Sequence, residues 1–307
     1  MSVVWLPFEE SEDGLGLLPA GLEPHTWDGT GPWPESVADV ELYVLPYMIG
    51  PRAFEPIGRM TRLRVLQTLT AGYEDVLAVR PPGVALCNAP GVHDDSTAEL
   101  AVTLALASLR GIPDFVHAAR EHRWAPASHA ALADRRVLIV GYGGVGRAVA
   151  RRLAGFEVDV VPVASRARET PDGPVHGVDE LPALLPAADV VVLCLPLVEG
   201  TRGLVDAGFL ARMKDGALLV NVSRGPVVVT SALLAELAAG RLTAALDVTD
   251  PEPLPPDHPL WDAPGLLVSP HVGGNTSAFM PRARRFLTGQ LGRFVAGEPL
   301  LGVVAAG

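Results

Sequence analysis

The chain has 307 residues, of which 49% are hydrophobic and 19% charged, a composition that excludes extensive disorder and leaves room for two domains. Its net charge of −11 argues against binding to nucleic acid or to anionic membranes. The two cysteines, Cys87 and Cys194, lie in apolar stretches typical of buried thiols. No basic region precedes the first apolar residues, and no apolar run approaches the roughly 18 residues that span a bilayer, so we expect a cytoplasmic protein.

Short apolar runs alternate with helical patterns from the first residues onward, which predicts an α/β protein with parallel sheets covered on both faces. The strands predicted in the first third are SVVWLPF, VELYVLPY, RVLQTL and VALCNAP. They suffice for one small sheet. A long helical pattern follows, and Ser96 with Glu99 three residues later predicts a capping box at its start.

The middle of the chain predicts a second, larger sheet. Its strands are RRVLIV, VDVVPV, DVVVLCLPL, ALLVNVS, TAALDV and LLVSPHV, most of them separated by helical segments, while the proline-dense DPEPLPPDHPL is a loop. The tail from Thr276 to Gly297 is again helical, and its apolar face could pack on the first sheet. We therefore predict a discontinuous domain of residues 1–95 plus 276–307, and a second domain of residues 96–275.

The segment GYGGVG opens a helix directly after a strand and has the GxGxxG spacing, with Gly141, Gly143 and Gly146 at the three positions and Gly144 and Val145 between them. Glycines there permit a tight turn and a close approach of backbone N–H groups to a pyrophosphate at the positive end of the helix dipole. This context predicts a dinucleotide-binding turn.

The end of the next strand differs from the commonest dinucleotide fingerprint. An acid there usually binds the ribose 2′-hydroxyl, but this chain has Ala164, followed by Ser165, Arg166 and Arg168. A hydroxyl and guanidinium groups suit a 2′-phosphate, which favours NADP over NAD. The alternative is that the arginines are solvated loop charges.

Three segments of the second sheet leave one polar residue each near the C-terminal end of a strand, where open α/β sheets bind ligands. They are Arg224 in NVSRG, Glu252 after LDV, and His271 in SPHVGG. Taken singly, each could be an ordinary surface or loop residue.

Taken together, the ordered motifs GxGxxG, CLPL, NVSRG, LDV with EP, and PHVGG resemble the D-isomer-specific 2-hydroxyacid dehydrogenase family. The likeness runs from TLTAGYEDV through CNAPGV and STAEL to FVAGEPL, which is most of the chain. It implies a Rossmann dinucleotide-binding domain and a smaller flavodoxin-like substrate domain.

The resemblance also implies catalytic roles. Arg224 would grip the substrate carboxylate and keto oxygen with its planar, permanently charged fork. His271 would be the general acid in carbonyl reduction and the base in alcohol oxidation, and Glu252 would be its acidic partner.

Further residues of this sequence match binding positions of the family. Asp247 falls near the nicotinamide carboxamide. The residues expected beside the remainder of the cofactor are Pro196, Thr201, Val222 and Gly273. Those expected to present backbone N–H groups to the substrate carboxylate are Ala71, Gly72 and Tyr73.

Residues that differ from those of related dehydrogenases narrow the range of expected substrates. Glu252 stands where formate dehydrogenases have glutamine, and Ala71 stands where phosphite dehydrogenases have lysine. The substrate loop holds no basic residue for a phosphate, and the chain ends soon after FVAGEPL, without the regulatory domain of many phosphoglycerate dehydrogenases. We expect glyoxylate, hydroxypyruvate or pyruvate.

Other expectations concern partners. No cysteine or histidine spacing matches a zinc site, so no metal is expected. Relatives are commonly homodimers through the long helix and the neighbouring loop, and we expect the same here. The competing hypothesis is a dinucleotide-sensing corepressor on the same fold, which the sequence leaves open.

Overall fold

The computed structural model describes residues 1–9 and 18–307. In chain order, the strands are β1 (Ser2–Leu6), β2 (Leu22–Thr26), β3 (Val40–Val44), β4 (Val65–Gln67), β5 (Ala85–Cys87), β6 (Arg136–Val140), β7 (Asp159–Ala164), β8 (Arg168–Thr170), β9 (Gly173–Gly177), β10 (Val190–Leu193), β11 (Leu218–Asn221), β12 (Thr243–Leu246), β13 (Leu266–Val268) and β14 (Val303–Ala305). The α-helices are α1 (Glu74–Val79), α2 (Asp94–Leu109), α3 (Ile112–Arg120), α4 (Gly144–Leu153), α5 (Leu181–Leu184), α6 (Ala207–Arg212), α7 (Thr230–Ala238) and α8 (Phe279–Ala296).

The chain divides into two compact units. One consists of Met1–His93 with Ser277–Gly307, and the other of Asp94–Thr276. The boundaries expected from the sequence, after residue 95 and before residue 276, lie within two residues of these.

The larger unit contains an eight-stranded sheet in the order β13-β12-β11-β10-β6-β7-β9-β8. Its pairs are parallel except for β8 with β9. Successive residues of β10 point to opposite faces of the sheet. Val191 and Leu193 belong to the hydrophobic core on one face, and Val190 and Val192 belong to the core on the other, because helices cover both faces. The α/β class expected from the sequence is confirmed, and the carboxyl ends of β11, β12 and β13 are neighbours.

The smaller unit has a six-stranded sheet in the order β14-β5-β4-β3-β1-β2. Helix α8 buries Phe279, Ala283, Leu287 and Leu291 against one face of it, and their four-residue spacing forms a single apolar stripe. The C-terminal segment therefore completes the core of the unit that the N-terminal segment begins, as its apolar face predicts.

The predicted capping box at Ser96 is wrong. Helix α2 begins at Asp94, so Ser96 lies in its first turn and is buried, and the Ser96 Oγ is 2.8 Å from the Oγ1 of Thr276. Asp94 and Asp95 supply the acidic first turn that favours a helix start two residues earlier. The helical pattern is also interrupted at Gly111, whose φ of 61° ends α2 and leaves α3 bent from it by 65°.

Four strands were missed in the sequence. They are β2, β8, β9 and β14, which lie at or next to sheet edges. The first three include proline, glycine or charged residues that weaken the alternating pattern, and β14 is only three residues long. The correction matters for Arg168, which was expected in a loop and instead begins β8.

Within the described residues, no individual helix combines the length and apolar character needed to cross a membrane. The pair α2 and α3 meets those two criteria only when joined across its 65° bend.

Candidate active site

Three charged or titratable side chains follow neighbouring strands of the larger unit. Arg224 comes three residues after β11, Glu252 lies in the loop after β12, and His271 comes three residues after β13. Because these strands are parallel and adjacent, their carboxyl ends bring the three residues to one edge of the sheet. The family resemblance implies this convergence, since the sequence by itself places each residue only near the end of its own strand.

His271 and Glu252 form a hydrogen-bonded ion pair between the ring Nδ1 and the carboxylate Oε1. The hydrogen bond to Glu252 raises the pKa of His271 above its ordinary value, although burial opposes it. Burial would raise the pKa of Glu252, but the hydrogen bond and charge of His271 bring that pKa below its ordinary value. With side chains 49% and 39% exposed, the pair stays accessible while favouring an imidazolium beside a carboxylate.

Arg224 acts electrostatically on both members of the pair. Its positive charge adds to the lowering of the Glu252 pKa and offsets part of the rise in the His271 pKa. Its backbone is fixed by the preceding turn, in which Asn221 Nδ2 donates to the Arg224 carbonyl at 3.0 Å. The Oδ1 of Asn221 accepts from both the N–H and the Oγ of Ser223, at 3.0 and 2.7 Å. The Arg224 Nη1 donates to the Ser223 carbonyl at 2.7 Å. The guanidinium is thus a positive group beside a proton donor.

The turn that carries His271 is organised by the carboxylate of Asp247, which is 3% exposed at the end of β12. Its Oδ1 accepts from the Val272 N–H at 2.9 Å and from the Ser269 Oγ at 2.7 Å, and its Oδ2 accepts from the Gly273 N–H at 2.9 Å. The Asp247 carbonyl accepts from the His271 N–H at 2.7 Å. Sequence reasoning missed Ser269, because its role depends on a contact across 22 residues.

The glycine-rich turn between β6 and α4 has the shape that a pyrophosphate requires. A Cβ on Gly141 would lie 2.4 Å from the Cys194 carbonyl oxygen, and one on Gly146 would lie 2.0 Å from the Gly141 carbonyl oxygen. A Cβ on Gly143 would meet no described atom within 4 Å, so this part of the turn faces open space. The backbone before α4 therefore fits a dinucleotide, with the helix dipole directed at its phosphates.

Asp94 was missed in the sequence. A Cβ on Gly144 would lie 1.9 Å from the Oδ2 of Asp94, so the Asp94 carboxylate packs directly on the first residue of α4. Only glycine allows that approach. Spacing could not reveal it, because the contact joins the starts of two helices 50 residues apart.

The candidate 2′-phosphate residues follow β7, which ends at Ala164 as expected. Ser165 and Arg166 are exposed, whereas the Nη2 of Arg168 donates to the Tyr142 carbonyl at 3.2 Å. Arg168 is therefore tied to the glycine-rich turn although it lies in β8.

The remaining cofactor candidates are also in this unit. The Thr201 Oγ1 donates to the Pro196 carbonyl at 2.6 Å, which closes the loop after β10. Val222 directly follows β11 and is 7% exposed. A Cβ on Gly273 would approach Asp247 Oδ2 to 3.0 Å and Thr97 to 3.4 Å, which identifies Thr97 as a neighbour that sequence reasoning missed.

The predicted substrate loop belongs to the smaller unit and connects β4 to α1. Ala71 is exposed, Gly72 and Tyr73 are half-buried, and the Tyr73 N–H donates to the Oε2 of Glu74 at 2.9 Å. One of the three N–H groups expected to bind a carboxylate thus binds a carboxylate of the chain itself.

Comparison with known proteins identifies the family. The family model described as D-isomer specific 2-hydroxyacid dehydrogenase, NAD binding domain, matches residues 102–273. The human glyoxylate reductase/hydroxypyruvate reductase is 30% identical over 92% of this chain and 90% of its own length. The glyoxylate reductase of Korarchaeum cryptofilum is 32% identical over 96% of this chain and 93% of its own length.

Solved structures agree. The NADPH-dependent glyoxylate/hydroxypyruvate reductase of Sinorhizobium meliloti, in complex with NADP and sulfate, has a TM-score of 0.83 at 27% identity and covers 99% of this chain and 98% of its own. The D-isomer specific 2-hydroxyacid dehydrogenase of Xanthobacter autotrophicus Py2, in complex with NADPH and MES, has a TM-score of 0.79 at 31% identity with the same coverage. The expected resemblance is confirmed: the chain belongs to the D-isomer specific 2-hydroxyacid dehydrogenase family and is an oxidoreductase with a nicotinamide dinucleotide cofactor.

Proposed function

We propose that this enzyme reduces small unphosphorylated 2-oxo acids, such as glyoxylate, hydroxypyruvate and pyruvate, to D-2-hydroxy acids with NADPH. The observation that carries the proposal is the ion pair of His271 and Glu252 within the electrostatic reach of Arg224. Relatives named glyoxylate or hydroxypyruvate reductases support this substrate class.

The three residues divide the proton chemistry among them. Arg224 binds the carboxylate and the keto oxygen, and its charge stabilises the negative charge that grows on that oxygen. The bound nicotinamide supplies the hydride. His271 donates a proton to the same oxygen, and Glu252 keeps the imidazole protonated and oriented until then. In alcohol oxidation, His271 accepts that proton back.

Asp247 has a positioning role in this proposal. Its expected position near the nicotinamide carboxamide stays a prediction, while its carboxylate is already engaged by the N–H groups of Val272 and Gly273. We assign it the positioning of the His271 turn. Pro196, Thr201 and Val222 are kept as residues beside the ribose or adenine.

Substituting Glu252 tests the acid–base pair. Glu252→Gln should move the alkaline limb of the pH profile of carbonyl reduction to lower pH, because it removes the carboxylate whose hydrogen bond and charge raise the pKa of His271. The measurement is kcat/KM against pH. Asp257→Asn, an exposed acid in the same loop, is the matched control and should leave the limb in place.

A second variant separates chemistry from binding. His271→Ala should lower turnover by at least about a hundredfold while the Kd for NADPH stays within about twofold. An unmoved alkaline limb in Glu252→Gln would show that the pair is uncoupled, and near-normal turnover in His271→Ala would remove the histidine from the mechanism.

We further propose that NADPH is preferred to NADH. Ala164 offers no acceptor to the ribose hydroxyls, while Ser165 and Arg166 are exposed beside it and Arg168 is tied to the glycine-rich turn. A 2′-phosphate can accept charge-assisted hydrogen bonds from these groups. The NADP or NADPH in the two structural neighbours supports the same choice.

The cofactor preference is measured as the ratio of kcat/KM for NADPH to that for NADH. The unaltered enzyme should show a ratio of about ten or more, since one charge-assisted contact supplies that much discrimination. Arg166→Ala should reduce the ratio and leave NADH use unchanged. Arg110→Ala, an exposed arginine at the far end of α2, should not alter it. Equal use of both cofactors by the unaltered enzyme would contradict the preference.

The proposed assembly is a homodimer. The apolar face of α2 is used inside its own unit, but Ile112 and Val116 of α3 are 47% and 49% exposed, and Trp124 in the following loop is 95% exposed. Ile112 and Val116 are four residues apart and so share one face of α3, and exposed apolar side chains on one face suit a partner surface. Sedimentation should give the mass of a dimer that Trp124→Glu converts to monomer, and a monomer in the unaltered protein would contradict the proposal.

A further inference from the structure

The substrate loop between β4 and α1 is held by its carbonyl oxygens. The Thr70 carbonyl accepts from the Ala89 N–H at 2.8 Å and from the Thr68 Oγ1 at 3.0 Å. The next two carbonyls are bound by side chains as well. The Ala71 carbonyl accepts from Asn88 Nδ2 at 2.8 Å.

The third carbonyl, that of Gly72, accepts from the Thr70 Oγ1 at 2.6 Å. Three successive peptide oxygens are therefore fixed, and the two nearest the helix depend on one side-chain donor each. Both donors belong to the same unit as the loop.

Fixing these oxygens also fixes the N–H groups. The peptide bonds here are trans, and in a trans peptide the C=O and the following N–H point in opposite directions. The N–H groups of Ala71, Gly72 and Tyr73 must therefore point away from the donors that hold the carbonyls. These are the three N–H groups expected to bind the substrate carboxylate.

A carboxylate of the chain marks this direction. The Tyr73 N–H donates to the Glu74 carboxylate at 2.9 Å, on the side opposite to the carbonyl that Thr70 binds. The outward side of the loop thus accommodates a carboxylate oxygen, and the substrate has to displace Glu74 to reach the Tyr73 N–H.

Asn88 is itself fixed from behind. Its N–H donates to the Gly302 carbonyl at 2.8 Å, and its carbonyl accepts from Gln67 Nε2 at 3.0 Å. Gln67 is fully buried and accepts from Gln290 Nε2 at 2.7 Å, and Gln290 also exchanges hydrogen bonds with the backbone of Leu301 at 2.9 Å. The C-terminal segment therefore supports the base of the loop.

We propose that Thr70 and Asn88 are positioning residues that aim the N–H groups of Ala71, Gly72 and Tyr73 at the carboxylate of the substrate. This inference rests on the proposed reduction of 2-oxo acids. Thr70 and Asn88 do not touch the substrate. They set the direction of the backbone donors before it arrives, so less ordering is required on binding.

The test removes one donor without changing shape. Thr70→Val should raise the KM for pyruvate about tenfold, the effect of one lost hydrogen bond, with kcat and the Kd for NADPH within about twofold of the unaltered enzyme. Thr70→Ser keeps the hydroxyl and should restore the KM. Thr61→Val is the matched control, because the Thr61 Oγ1 donates to the Ala38 carbonyl elsewhere in the same unit.

A neutral substrate distinguishes aiming from general loop damage. Pyruvamide has the keto group of pyruvate without its charge, so Thr70→Val should raise its KM much less than that of pyruvate. Equal loss with both substrates, or no loss with either, would overturn the proposal. Should Thr70→Val fail to fold, Asn88→Leu removes the other donor without adding charge and should show the same selectivity for the charged substrate.

The proposed function and the positioning role of Thr70 and Asn88 can be overturned separately. An unaltered enzyme that reduces no 2-oxo acid would remove the proposed function and this inference with it. An unaltered enzyme that reduces pyruvate, with Thr70→Val equally active on it, would overturn the inference alone.

Discussion

The hydrogen bonds of the buried Asp247 carboxylate are the constraint on which the candidate active site at the edge of the larger sheet depends. They join the end of β12 to the turn after β13, where His271 has a φ of 51°, a backbone conformation that side chains rarely adopt. A buried carboxylate needs such partners, and the turn needs an acceptor that a strand end can supply. The same turn carries the His271 ring that pairs with Glu252.

The two units differ in the candidate binding groups that each one carries. The larger one has charged or titratable side chains in the loops that follow three adjacent parallel strands. In the smaller one, the proposed donors are backbone N–H groups, which carry no formal charge and depend on direction. That dependence explains why the substrate loop is surrounded by side-chain donors such as Asn88, and why a paired glutamine, Gln67 with Gln290, is buried beneath it.

Features that depend on residues close together in the sequence were predicted from hydrophobic periodicity and motif spacing. Arg224, Glu252 and His271 were each predicted near the end of a strand, and the order of their motifs, which resembles that of the family, grouped them as one set. The capping box at Ser96 was wrong because two aspartates begin the helix earlier. The contact of Asp94 with Gly144, the support of Asn88 by Gly302, and the link from Arg168 to Tyr142 join distant segments, so spacing carries no signal for them.

The most direct test of the account is the reduction of hydroxypyruvate by NADPH, with chiral analysis of the glycerate formed. Hydroxypyruvate is useful because its product is chiral, whereas the product of glyoxylate is not. We predict steady turnover and D-glycerate, because the chain belongs to a D-isomer specific family and a substrate held by Arg224 beside His271 would expose one face of its keto carbon to the hydride. Formation of L-glycerate, or the absence of turnover with any 2-oxo acid, would contradict it.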